Sequence, residues 1–110
     1  MIVTRWKAAK QYAAKNHHGM VGFRLQGMEA SPAQSVWVGL SQYLPGGRAD
    51  MGSSPTEKVY VVLEGEITIT TKEGDTVIGP LDSVLIAANE ERSVENRSNN
   101  IVKMLVVSPA

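Results

Sequence analysis

From Ser35 onward the chain is cut into short β-forming runs by turn residues, and that rhythm restricts what it can fold into. SVWVGLSQYL ends at Pro45-Gly46-Gly47, which reads as a break, and VYVVL ends at Glu64-Gly65. EITITTK ends at Glu73-Gly74-Asp75, and TVIG ends at Pro80-Leu81-Asp82. SVLIA, RSVEN and IVKMLVV follow, separated by polar loops at Asn89 and at Arg97–Asn100. Ile67 and Ile69 alternate with threonines, so one face of that run is apolar and the other polar. Many short strands with turn signals between them predict an all-β sandwich or barrel. Upstream, Met20–Gln26 reads as one more strand. Trp6, Ala9 and Ala13 sit at roughly helical spacing between Thr4 and Lys15, so that segment reads as a short helix or an irregular arm.

The chain has 110 residues, which predicts one domain over 1–110. It has no cysteine, which removes disulfides and thiolate metal sites. Eleven basic residues balance 11 acidic ones, and neither sign forms a long run. Nucleic-acid and polybasic membrane surfaces need a basic excess, so neither partner is expected. The absence of a long apolar stretch and of an apolar N-terminal core predicts a soluble cytoplasmic protein. VYVVL, SVLIA and MLVV are apolar on both faces, whereas a strand with one face in water alternates. Something covers the second face, and a second copy of the chain, giving a homodimer, is expected ahead of the N-terminal arm.

The stretch GGRADMGSSPTEKVYVVLEG, residues 46–65, resembles the first motif of the cupin family. That motif is Gly, five residues, His-x-His, three or four residues, Glu, six residues and Gly. The second cupin motif is Gly, five residues, Pro-x-Gly, two residues, His, three residues and Asn. It lies on LDSVLIAANEERSVEN, residues 81–96, where Asn96 matches, Ala87 stands for Pro and Asn89 for Gly. The resemblance implies a small single-domain cupin, a double-stranded β-helix or jelly-roll barrel with a short N-terminal arm or helix. Cupins hold a divalent metal with two His and a Glu from the first motif and one His from the second. Those positions here are Gly52, Ser54, Lys58 and Arg92. Lysine and arginine offer only donors, and their charge repels a cation, so neither metal nor other cofactor is expected. His17 and His18, with Asp50 or Glu57, are poor substitutes, because neighbours on a strand point to opposite faces.

The same periodicity places Lys58, Tyr60 and Val62 on one inward face and Arg92, Val94 and Asn96 on another. If the resemblance holds, Lys58 and Arg92 converge where the family's metal sits. With the Tyr60 hydroxyl, and with Ser54 and Arg48 near the mouth, they form a receptor for a small anion such as a carboxylate or sugar acid. Tyr60 and His18 are the candidate proton-transfer residues. The competing structural reading pairs Lys58 and Arg92 with Glu57, Glu64, Asp50 or Glu91. Trp37 and Tyr43 share a strand face and read as core. Three functions stay open: a metal-independent isomerase, lyase or cyclase; a non-catalytic binding module; and an interaction protein with a vestigial pocket.

Overall fold

A computed structural model describes residues 1–110. It contains nine strands: β1 (Lys10–Tyr12), β2 (His17–Gln26), β3 (Val36–Gly52), β4 (Lys58–Glu64), β5 (Ile67–Thr71), β6 (Gly74–Ile78), β7 (Ser83–Ile86), β8 (Arg92–Glu95) and β9 (Val102–Pro109). All pairings are antiparallel, and the hydrogen-bonded order is β6-β5-β8-β3-β9-β4-β7, with β2 added to β3 and β1 to β2. This is the jelly-roll barrel that the turn spacing and the cupin resemblance predict.

One strand joins the two layers. The first half of β3 pairs with β9, from Val36↔Pro109 to Tyr43↔Val102, and its second half pairs with β8, from Arg48↔Glu95 to Gly52↔Arg92. Pro45-Gly46-Gly47 is therefore a corner rather than a break. Pro45 has no N–H to lose from a ladder, and Gly46 takes a left-handed φ of +80°. The ladder resumes at once, with Gly46 N donating to Asn96 O at 2.8 Å and Asn96 N donating to Gly47 O at 2.9 Å. Gly47 also passes so close to β2 that a Cβ there would lie 2.2 Å from Gly19 O.

The two layers meet over a core of Tyr43, Tyr60, Val62, Ile67, Ile69, Ile78, Ile86, Val94, Val102, Met104 and Val106. These residues recur at every second position of their strands, which is the signature of one buried face. Asn96 closes one end of the core. It is fully buried, and its Nδ2 donates to Tyr43 O at 3.0 Å and Asn100 O at 2.7 Å.

The N-terminal segment is an arm, with a single 3-10 turn at Trp6–Ala8 and then β1, not a helix from Thr4 to Lys15. Edge pairing decides this: Lys10, Gln11 and Tyr12 match Arg24, Phe23 and Gly22 and place the Tyr12 side chain inside the barrel. The arm covers the outer face of β2, where Trp6 packs edge-on against Phe23 at 4.8 Å between ring centroids. It leaves the outer faces of β4, β9 and β7 open, where Leu85 is 59% exposed beside Val59. No helix is long and apolar enough to cross a membrane.

Candidate functional site

Strand register sets a grid of side chains on the inner face of the β2-β3-β9-β4-β7 layer. Arg24 lies opposite Gly39, Gly39 opposite Val106, Val106 opposite Tyr60, and Tyr60 opposite Val84. Beside that row, Trp37 lies opposite Ser108 and Lys58 opposite Ile86. Two strand glycines keep the grid open. A Cβ on Gly22 would lie 2.8 Å from Tyr12 Cε1, and one on Gly39 would lie 3.2 Å from Tyr12 Oη and 3.3 Å from Trp37 Cζ3. The space left in the barrel is a cavity of about 360 Å³, walled by Tyr12, Arg24, Trp37, Tyr43, Lys58 and Tyr60 on this layer and by Asp50, Arg92 and Val94 on the other.

Lys58, Tyr60 and Arg92 meet in this cavity. Arg92 donates to the Tyr60 hydroxyl from Nε at 3.2 Å and Nη2 at 3.1 Å, and to Gly52 O from Nη1 at 3.1 Å. Lys58 Nζ donates to Ser108 Oγ at 3.0 Å and Thr56 Oγ1 at 3.4 Å, and it lies 5.4 Å from the Trp37 ring centroid. The ion pairs of the molecule engage His18, Arg24, Arg48, Arg97 and Lys103, and none reaches Lys58 or Arg92. Pairing of these two cations with Glu57, Glu64, Asp50 or Glu91 is thus overturned; only hydroxyls and a carbonyl receive them. Burial, then the charge of Arg92, holds the Lys58 ammonium below its ordinary pKa. Burial likewise pushes the Tyr43 phenol well above its usual range.

Three expected site residues lie elsewhere. His18 points to the rim, its Nε2 donating to Asp50 Oδ2 at 2.9 Å, and it does not line the cavity. Its neighbour His17 does, because alternate strand residues face opposite ways. His17 Nδ1 donates to Lys15 O at 2.7 Å, so in the neutral ring Nε2 is the acceptor. Arg48 binds Asp50 Oδ1 at 3.2 Å and is half exposed, outside the cavity. Ser54 pairs with Thr56 at 3.2 Å, also outside it. Asp50 is the one carboxylate on the cavity wall, held below the usual carboxylate range by the hydrogen bond from His18 and then by Arg48.

Arg24, Tyr12 and Trp37 join the wall without having been expected there as ligand contacts. Their signal in the sequence was Gly22 and Gly39, glycines inside strand runs, which mark close approach of another group.

A two-layer antiparallel β-barrel with a polar, cation-lined interior defines a class of jelly rolls. The family model described as "Cupin domain" matches residues 39–108, and the chain belongs to that family. It is 45% identical over 106 residues to the Beta-D-galactosidase Rv1717 of Mycobacterium tuberculosis (strain ATCC 25618 / H37Rv), covering 96% of this chain and 91% of that protein. Its fold matches the polyketide cyclase RemF from Streptomyces resistomycificus with a TM-score of 0.89 and 17% identity, over 99% of this chain and 79% of that one. It also matches a predicted oxalate decarboxylase from Thermotoga maritima with a TM-score of 0.81 and 20% identity, over 99% and 98% of the two chains.

The residues at the family's metal positions do not fit a divalent ion. Gly52 has no donor atom, Ser54 turns to Thr56, and Lys58 and Arg92 bring positive charge. No three His, Asp or Glu side chains gather anywhere in the molecule to hold a metal.

Proposed function

We propose that this cupin is an enzyme that binds an oxygen-rich sugar in its barrel, a negatively charged one best, and hydrolyses the β-D-galactosidic bond. The observation that carries the ligand class is the pair Lys58 and Arg92, two cations on the cavity wall with no carboxylate partner. Their mutual repulsion and desolvation are relieved when a ligand supplies negative oxygen. The reaction is taken from the galactosidase relative, which matches nearly the whole chain. The cavity also suits a sugar in size, since ligand sites begin near about 300 Å³.

The geometry supports a mechanism that uses this chain's own groups. Tyr60 accepts two hydrogen bonds from Arg92, so its O–H is free to point at the ligand. It donates its proton to the glycosidic oxygen as the bond from the anomeric carbon to that oxygen breaks. Arg92 supports the negative charge left on the phenolic oxygen. A water attacks the anomeric carbon and gives a proton to His17 Nε2, and that proton returns to Tyr60 through solvent. The net change is one water consumed and one sugar and one alcohol released. Most glycosidases use two carboxylates; this wall carries one, so a tyrosine takes the acid's part here.

The test is hydrolysis of p-nitrophenyl β-D-galactoside by the purified protein. Wild type is expected to release nitrophenol, and Tyr60→Phe to lose turnover by a factor of about 100 or more while still binding galactose. Ligand binding without turnover in wild type would reject the enzyme reading and leave a binding module.

We propose in addition that a second copy covers the open outer face of β4 and β9, where Val59 pairs with Val107 and Val61 with Leu105. Contiguous apolar surface of this kind marks an interaction site.

A further inference from the structure

The guanidinium of Arg24 is held in a way that a simple ion pair does not need. Its Cζ lies over two aromatic rings, 3.8 Å from the Tyr12 ring centroid and 4.6 Å from that of Trp37. Only 8% of the residue is exposed. Nε donates to Glu29 Oε1 at 2.8 Å, and this is the side chain's one hydrogen bond within the protein. Nη1 and Nη2 thus have no acceptor, yet no buried polar atom in the molecule is sealed without a partner. Arg24 lines the cavity, and its Nη atoms keep access to a partner outside the protein.

We propose that Arg24 is the specificity-determining residue of the site, receiving the carboxylate of a sugar acid on its free Nη edge while Arg92 and Tyr60 act at the glycosidic bond. The assignment rests on the sugar-processing reading above and names the acidic group that reading requires. The Tyr12 and Trp37 rings lie against the guanidinium and its Nε is occupied, which leaves the Nη edge for a ligand. A planar fork with its orientation already fixed matches a carboxylate bidentately and loses little entropy on binding. Gly22 and Gly39 are part of this device, because a side chain at either would displace the Tyr12 ring that covers one face. Lys58 stands near the same Trp37 ring and supplies positive charge that no carboxylate cancels, whereas Glu29 offsets the charge of Arg24 itself. The fork then gives direction and Lys58 gives charge. An ion pair with Glu29 alone would leave the two rings and the two strand glycines without a reason.

The experiment is calorimetric titration of the full chain with D-galacturonate and with D-galactose. Wild type should bind galacturonate at least about ten-fold tighter than galactose. Arg24→Lys keeps the charge and loses the fork; it should bring galacturonate to within about two-fold of galactose. Glu29→Gln removes the competing carboxylate and should tighten galacturonate about three-fold with galactose unchanged. Equal affinity of wild type for the two sugars, or an undiminished acid preference in Arg24→Lys, would overturn the assignment. If Arg24→Lys does not fold, an unchanged galacturonate affinity in Glu29→Gln overturns it instead. The two proposals fail separately. Acid preference without galactoside hydrolysis rejects the reaction and keeps Arg24, and hydrolysis without acid preference does the reverse.

Discussion

Replacing Tyr60 with phenylalanine tests the pairing at the centre of the cavity and allows a magnitude to be worked from the structure. The substitution deletes one oxygen and leaves the ring in the core. Arg92 loses the acceptor for Nε and Nη2 and keeps only Gly52 O. Hydrogen bonds to a charged group contribute about 1.5–3 kcal/mol net, and cavity water recovers part of that, so the expected cost is about 1–3 kcal/mol. For a domain of this length a kcal/mol moves the midpoint by about 3–6 °C, so the melting temperature should fall by roughly 3–18 °C. The control is Tyr43→Phe: that hydroxyl opens on the cavity with no protein partner, and its loss should cost under about 0.5 kcal/mol. Urea unfolding of both variants beside wild type makes the comparison. Equal stability of Tyr60→Phe and wild type would refute the reasoning, since it would mean that Arg92 does not rest on Tyr60.

Other outcomes follow from single residues. Leu81 holds a left-handed φ of +68° while 80% exposed, so Leu81→Gly relieves backbone strain and loses no packing. A gain of about 0.5–1 kcal/mol in urea unfolding is expected. Glu29 is held below its ordinary pKa of 4.5, first by the hydrogen bond from Arg24. The stability it contributes is complete above that value and is lost as pH falls through the lower folded value. Wild type should therefore lose more stability than Glu29→Gln on acidification from about pH 5 to pH 3, as read by thermal melts. Leu105→Glu places a charge in the middle of the open outer face, and light scattering coupled to size exclusion should find it monomeric where wild type, if the proposed pairing of two copies holds, is a dimer.

Much of the architecture was legible because it rests on local chemistry. Period-two alternation around Tyr60 and Val94 fixed which side chains face inward, and motif spacing brought Lys58 and Arg92 to the same place. The family's second-motif glycines fall on Leu81 and Asn89, and both have positive φ, +68° and +64°. The backbone has kept a conformation that the residues there no longer advertise. Pro45-Gly46-Gly47 misled for the opposite reason: the residues of a break serve equally at a corner where a strand changes sheets. His17 and His18 differ only by strand parity, and left-handed residues on either side, Asn16 and Gly19, set that parity in a way the spacing alone does not show. The Tyr12–Arg24–Trp37 stack was hidden because it joins three strands. It depends on the edge pairing of β1, a contact with no local signature.

The most direct test of the central claim, that the unpaired cations serve a ligand and not the fold, is Lys58→Met measured for melting temperature and for p-nitrophenyl β-D-galacturonide turnover in the same preparation. Lys58 is a desolvated cation next to another, and the protein gives it only hydroxyl partners. The account predicts a melting temperature equal to or above that of wild type, with turnover largely lost. A marked fall in melting temperature with turnover per folded molecule intact would contradict it and make Lys58 a structural residue.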